Sequence, residues 1–170
     1  SEGEDLPPAL AVQRVQLRSR AMMGVGESMG ALLLLEEDES RQAEQLRAES
    51  YWSSKDWPRA AQSLRKIIRI DAAPNDEPLD PEQALNILNY AIALTLSGND
   101  RGLGVLREKY GAAMYATDLK DAFVLIATPE QFGLISQESI PSKVRVAENF
   151  QTFMAAYKER LATENLSQMN

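Results

Sequence analysis

Ser63 and Lys66 are spaced three residues apart, as a serine nucleophile and its lysine partner are in one class of acyl-transfer enzymes. Two features of the sequence oppose this chemistry. Leu64, between them, belongs to a repeated apolar pattern, and the Ser-Asp-Asn and Lys-Thr-Gly motifs that accompany such a pair are absent. We therefore interpret the two residues as one turn of an amphipathic helix, and we expect no catalysis there.

Two further segments have the length of ligand-binding loops but lack the required residues. The stretch GNDRGLG at 98–104 has no Lys-Ser/Thr pair for phosphate, and Arg107 stands where a dinucleotide fingerprint needs a third glycine. Residues 71–82 span a calcium loop, yet Asp76 takes the glycine position and Pro74 and Pro78 disturb the geometry. The sequence therefore predicts no cofactor and no metal.

Composition narrows the possible chemistry further. The chain of 170 residues has no cysteine and no histidine, which excludes disulfides, thiolate nucleophiles, Cys/His zinc sites and imidazole catalysis. Its formal charge of -7 opposes binding to nucleic acid or to an anionic membrane surface. The longest apolar run, ALLLL at 31–35, is far below the roughly 20 residues of a membrane-spanning helix. We expect a non-enzymatic protein with no nucleic-acid partner and no direct membrane insertion.

The elements that carry these residues are predicted to be helices. Ala, Leu, Glu, Gln and Arg dominate while β-branched residues are sparse, so an all-α domain is favoured. The nearest strand candidate, AFVLIAT at 122–128, fits a short buried helix at least as well. The acidic run EEDE at 36–39 is interpreted as a solvated linker rather than a docking site for a basic partner.

A pattern of five positions recurs along the chain. The copies are Ser19, Met22, Gly26, Ala31 and Leu35; then Ala48, Tyr51, Lys55, Ala60 and Leu64; then, more weakly, Ala91, Leu94, Gly98, Leu103 and Arg107. Small residues allow two helices to approach closely, and a glycine, or Lys55 in its place, closes a tight turn between them. The repeats predict helical hairpins at about 12–40, 41–73 and 81–116.

Helix ends and buried faces follow from local patterns. In WPRAAQSLRKIIRI, Pro58 lies in the first turn and one face is predicted to be buried: Ala60, Ala61, Leu64, Ile67 and Ile68. The opposite face is predicted to be exposed: Arg59, Gln62, Ser63, Lys66 and Arg69. Asp80, Pro81 and Gln83 predict a capping box after a proline-rich loop, and Gly98 ends that helix. Further helices are predicted at 102–115, 118–128 and 142–163.

These residues resemble the tetratricopeptide repeat family, most closely in LRAESYWSSKDWPRAAQSLRKIIRIDAAP. Ala48, Tyr51, Trp57, Ala60, Leu64 and Ile67 match family core positions, so Trp57 is expected in the core. The spacing of 29 residues is shorter than the usual repeat of about 34. The resemblance implies an α-solenoid of about three hairpins with C-terminal capping helices at 118–163, a single domain over residues 1–170.

The same resemblance implies a concave face that binds an unidentified protein or peptide. Its partner-binding residues would be Arg20, Met23, Gln45, Glu49, Trp52, Leu88 and Ile92. Gln13, Gln16, Gln42 and Leu85 take the remaining groove positions. An alternative stays open, because the helix at 142–163 carries Phe150, Phe153 and Tyr157 on one face and could fill the groove, making Trp52, Leu88 and Ile92 ordinary core.

The C-terminal part is similar to the ends of long alphaproteobacterial repeat proteins, many of them exported. This implies a bacterial protein of the periplasm or cell envelope, with the cytoplasm as the alternative, and a fragment of a longer chain. Two functions are expected. One is a non-catalytic interaction or scaffolding module, and the other is a structural end or dimerisation domain with no ligand of its own, which would allow a homodimer.

Overall fold

The computed structural model describes residues 7–72 and 78–128 of the chain. This part consists of helices and contains no strand, which confirms the all-α class for these residues. In chain order the helices are α1 (Pro8–Gly24), α2 (Ser28–Leu34), α3 (Arg41–Ser53), α4 (Trp57–Ile70), α5 (Pro81–Leu96), α6 (Asp100–Tyr115) and α7 (Lys120–Ala127). The predicted helix at 142–163, with Phe150, Phe153 and Tyr157, lies outside the described residues.

Three tight turns join the first six helices in pairs, at the positions that the repeat pattern predicts. Gly26, Lys55 and Gly98 have φ of 86°, 59° and 70°. In each turn the next N–H donates to the carbonyl oxygen five residues back: Glu27 to Met22 at 2.8 Å, Asp56 to Tyr51 at 2.8 Å, and Asn99 to Leu94 at 2.9 Å. This left-handed residue with its long-range hydrogen bond is the Schellman motif, which reverses the chain after a helix.

The small residues of the repeat lie buried where the paired helices cross. Ser19, Ala48 and Ala91 are 0%, 7% and 0% exposed, and Ala31 and Ala60 after the turn are both 0% exposed. The absence of a larger side chain at these positions allows the helices to approach closely. The third copy differs as expected, since a buried Leu103 replaces alanine and Arg107 is partly exposed.

Helix starts also follow the sequence. The Asp80 side chain accepts a hydrogen bond from the Gln83 N–H at 2.9 Å, and the Gln83 side chain accepts from the Asp80 N–H at 3.1 Å, which confirms the capping box. Pro81 and Pro58 lie in the first turns of α5 and α4. The segment predicted as a short buried helix, 122–128, is almost entirely α7, with Phe123 completely buried.

The helices of each pair pack against one another, α1 with α2, α3 with α4 and α5 with α6. Between the pairs, α3 packs against both α1 and α2, and α4 packs against α5. α7 packs against both α5 and α6. Most buried residues from α3 onward form one cluster around Leu88 and Ile92. A separate small cluster of Leu35, Ala43 and Leu46 joins α2 to α3. The first hairpin therefore attaches to the rest through a smaller apolar contact.

Two predictions about α4 need correction. Ser63, assigned to its exposed face, is only 4% exposed, because α4 packs against α3 on one side and α5 on the other and so buries a wider face. Trp57, expected in the core, is only partly buried and belongs to neither cluster. The predicted apolar stripe itself is confirmed, since all five of its residues are buried.

Candidate functional site

Five of the seven predicted partner-binding residues keep accessible surface on α1 and α3. Arg20 and Glu49 are exposed, while Met23, Gln45 and Trp52 are partly buried. Arg20 and Glu49 occupy matched positions 29 residues apart in the repeat, as do Met23 and Trp52. The first helices of the first two hairpins, α1 and α3, thus present matched positions that carry different side chains.

Leu88 and Ile92 are placed differently. Both are 0% exposed and lie within the main apolar cluster. The cause is the central position of α5, which packs against α4, α6 and α7 and is therefore covered on several sides. Of the two alternatives left open for these residues, burial favours the core, and the accessible part of the predicted surface is restricted to α1 and α3.

The two tryptophans meet at the turn between α3 and α4. Their ring centroids are 5.2 Å apart with planes at 87°, an edge-to-face arrangement. Trp52 packs against the main cluster and stays partly accessible, while Trp57, at the start of α4, contacts the Trp52 ring. Beside them the Arg59 guanidinium lies 5.8 Å from the centre of the Tyr51 ring. Trp52 is thus an aromatic side chain with one fixed face and some free surface.

Some polar residues assigned to the groove have structural partners instead. The Gln16 side-chain amide donates to Asp38 Oδ2 at 2.9 Å and to Ser40 Oγ at 3.2 Å, linking α1 to the start of α3. Gln45 Oε1 accepts a hydrogen bond from Arg41 Nη1 at 3.3 Å. Arg20, Glu49 and Trp52 therefore make up the part of the predicted surface best placed to meet a partner.

A set of ion pairs that the sequence does not reveal crosses between helices. Arg41 at the start of α3 binds both carboxylate oxygens of Asp71, at 2.5 and 2.8 Å, and reaches Glu82 on α5 at 2.9 Å. The hydrogen bonds to Asp71 raise the pKa of Arg41 above its ordinary value. These partners are 30 and 41 residues away along the chain, so spacing alone could not have identified them.

Glu44 is a buried carboxylate held by two cations. Its side chain is 3% exposed, and Oε1 accepts from Arg47 Nη1 and Lys66 Nζ, both at 2.9 Å. Arg47 also donates to the carbonyl oxygens of Leu35 and Asp38 after α2. The three-residue spacing of Glu44 and Arg47 was the one signal of this network in the sequence.

These contacts also locate the residues considered for chemistry. Lys66 is engaged by Glu44, and the Ser63 hydroxyl is buried, so a substrate would not reach the serine in this arrangement. Asp71 and Glu82, at the ends of the span with the length of a calcium loop, both bind Arg41. Within 7–72 and 78–128, no group of three or more acidic side chains is arranged to hold a metal ion.

Among the described helices, none is long and apolar enough to cross a membrane. No protein-family model matches the sequence, and no curated protein or solved structure matches it significantly. The resemblance to tetratricopeptide repeats is therefore an expectation from the residue pattern alone.

Proposed function

We propose that this chain is a non-catalytic interaction module built like a tetratricopeptide repeat array, which binds a partner protein or peptide on the face of its first helices. The observation that carries this proposal is the recurrence of one Schellman turn at Gly26, Lys55 and Gly98. A buried small residue precedes each turn at the matched position, and a buried alanine follows the first two. Hairpins that repeat in this way stack into an extended face with many adjacent binding positions.

The binding surface consists of Arg20 on α1 with Glu49 and Trp52 on α3. Trp52 supplies an anchor whose inner face is already packed, so little side-chain entropy is lost when a partner covers the outer face. Arg20 and Glu49 provide opposite charges on neighbouring repeats, which would fix the orientation of a bound peptide.

The test is affinity capture from native extracts with Arg20→Ala and Trp52→Ala variants, followed by mass spectrometry and by titration of the captured protein. Gln62→Ala, an exposed change on α4, is the matched control. Loss of the same captured protein with both variants, but not with the control, supports the proposal. Arg20 is exposed, so its removal leaves folding intact, and unchanged titration with that variant would count against this surface.

A second candidate function is self-association through the first hairpin, as the end domain of an assembly. Several large apolar side chains there are well exposed: Leu17 66%, Val25 75%, Met29 77% and Leu33 66%. Leu46, the residue that matches Leu17 in the next repeat, is 2% exposed because the preceding hairpin covers it. The face around Leu17 is therefore shaped to receive one more helical element.

Sedimentation across a concentration series tests this candidate. A dimer that dissociates in Leu17→Glu and persists in Ile70→Glu, an exposed apolar control on α4 at 52% exposure, would support it. A wild-type monomer at all concentrations would exclude it.

The proposed location is the bacterial periplasm or cell envelope, and it depends on the resemblance of the C-terminal part. Fractionation of cells expressing the full-length protein, followed by immunoblotting, distinguishes that compartment from the cytoplasm.

A further inference from the structure

A groove between α4 and α6 is lined by four positively charged side chains. It is an open cavity of about 400 Å³ between α4 and α6. Arg65 and Arg69 stand on the α4 wall, and Arg101 and Lys109 stand on the α6 wall. The eleven lining residues include these four cations and no acidic residue, although the whole chain carries a formal charge of -7.

The four cations are available to a ligand. All are exposed, and within 7–72 and 78–128 none of them forms an ion pair. Lys109 Nζ lies 5.3 Å from the centre of the Tyr110 ring, which keeps this ammonium group beside the groove. Like charges on facing walls repel one another, so a bound anion would relieve an unfavourable interaction as well as form new ones.

The floor of the groove is apolar and aromatic. Ile68, Leu106 and the ring of Tyr90 lie between the charged walls. Burial, the larger influence, raises the pKa of Tyr90 above its ordinary value, while the positive charges of Arg65 and Arg69 oppose that rise. Arg65, Arg69 and Tyr90 line the same groove, so the two positive charges act on this ring from the α4 wall.

The groove continues into a second cavity of about 230 Å³ that shares Ile68, Lys109 and Tyr110 with the first. Leu79, Ile87 and Ala113 give this inner cavity an apolar lining. Gln83 and Asp71 also line it, and the Asp71 carboxylate is already paired with Arg41. Asn86 also lines it; the residue is 8% exposed, and its Nδ2 has no hydrogen-bond partner. A buried amide donor without a partner is unfavourable.

We propose that this groove binds an extended acidic peptide segment of a partner protein. Its carboxylates would pair with the four cations, and one apolar side chain would enter the inner cavity. This site is formed by α4, α5 and α6 and involves neither Arg20 nor Trp52. It therefore goes beyond the proposed function and stands independently of it.

The shape and charge of the groove favour a peptide over other anions. The cations are distributed along two helices above an apolar floor, whereas a single phosphate would need them to converge on one point. A nucleic-acid strand carries a phosphate at every nucleotide, so its charge would extend beyond the four cations of the groove. A short acidic peptide with apolar residues meets both the charge and the apolar floor.

The experiment measures fluorescence anisotropy of a labelled peptide of repeated Glu-Glu-Leu-Tyr, with the Gln-Gln-Leu-Tyr peptide as its neutral counterpart. We expect the acidic peptide to bind more tightly, and its affinity to fall as salt is added. Arg69→Glu/Lys109→Glu should weaken binding at least about tenfold. Arg14→Glu/Arg18→Glu, a control with the same charge change at exposed positions of α1, should retain most of the affinity.

Several results would overturn the inference. They are equal binding of the acidic and neutral peptides, equal loss in both double variants, or tighter binding of a single-stranded oligonucleotide or of inorganic phosphate in competition. Asn86→Asp supplies a second check because it keeps the side-chain size. It places a negative charge in the inner cavity and should weaken the acidic peptide more than the neutral one. The peptide-binding result does not depend on the capture experiment with the Trp52→Ala variant, because the two sites share no residue.

Discussion

Arg41 donates two hydrogen bonds to the Asp71 carboxylate, of 2.5 and 2.8 Å. They join the first residue of α3 to the residue that follows α4. The same guanidinium reaches Glu82 on α5 at 2.9 Å. One side chain therefore connects the second hairpin to the start of the third. A planar fork with several donors suits this position, whereas a single ammonium could not make the same contacts.

Replacement of Arg41 by alanine should lower the free energy of unfolding by about 2 kcal/mol, because Asp71 would remain largely buried without its charged partner. Urea denaturation measures this change. Arg59→Ala is the matched control, since its contact with Asp56 is 3.3 Å long and exposed and should contribute less than about 1 kcal/mol. Equal effects of the two variants would contradict the importance of the fork.

Glu44 should be among the most sensitive ionisable residues in the described chain. Removal of its carboxylate in Glu44→Ala leaves Arg47, itself 13% exposed, without an ion-pair partner and should cost about 3 kcal/mol. Glu49→Ala, an exposed acid on the same helix, should change stability by less than about 0.5 kcal/mol. Comparison of the two unfolding midpoints in urea tests the difference, and similar midpoints would contradict it.

The sequence was a good guide to features that depend on neighbouring residues. The turns at Gly26, Lys55 and Gly98, the capping box at Asp80 and the apolar stripe of α4 all follow from local spacing, and the structure confirms them. Such features are predictable because the residues that determine each of them lie close together in the sequence.

Features that depend on how helices meet were not predictable. For Leu88 and Ile92 the sequence left both a groove position and a core position open, and the packing of α5 against three helices makes both side chains core. The cationic groove requires Arg65 on α4 and Arg101 on α6 to face the same cavity, although they belong to different hairpins. The spacing of residues along the sequence does not predict this arrangement, because it depends on how separate helices cross.

Stability should depend on pH through Asp38. Burial tends to raise the pKa of this carboxyl, but hydrogen bonds from Gln16 and Ser40 outweigh it and lower the pKa below its ordinary value. A lowered pKa in the folded state stabilises the protein above the ordinary aspartate pKa of about 4, and this contribution disappears as the pH falls through the folded value. Asp38→Asn should therefore lose less stability than wild type between about pH 5 and pH 3.

Denaturant unfolding at several pH values measures this slope, and Glu36→Gln, an exposed acid in the same run, is the control. Identical slopes in wild type and Asp38→Asn would show that the hydrogen bonds from Gln16 and Ser40 do not favour the charged form.

Ser19 offers a test of the repeat register. It is 0% exposed, its hydroxyl has no hydrogen-bond partner, and Ala48 and Ala91 occupy the matching positions. Ser19→Ala removes a buried unpaired polar group and should raise the free energy of unfolding by about 1 kcal/mol. Thermal or urea unfolding measures it, with exposed Ser53→Ala as the control. A destabilised Ser19→Ala variant would mean that the hydroxyl does have a partner.

Substitutions at the left-handed residues of two turns, Lys55 and Gly98, should change stability in opposite directions. Lys55 holds φ of 59°, a left-handed conformation that is unfavourable for a residue with a side chain, so Lys55→Gly should stabilise the protein by about 0.5 kcal/mol. Gly98 has φ of 70°, and Gly98→Ala should cost about 1 kcal/mol although no atom lies within 4 Å of the added methyl group.

Gly104 is the matched control for Gly98, because only the backbone conformation differs between the two sites. It lies within α6, and an added methyl group there also meets no atom within 4 Å, but its φ is not left-handed. Gly104→Ala should therefore stabilise the protein by about 0.5 to 1 kcal/mol through helix propensity, the opposite sign to Gly98→Ala. Urea unfolding of the three variants, with helical content checked by circular dichroism, measures these signs. If Gly98→Ala and Gly104→Ala moved stability in the same direction, the left-handed turn between α5 and α6 would be wrong.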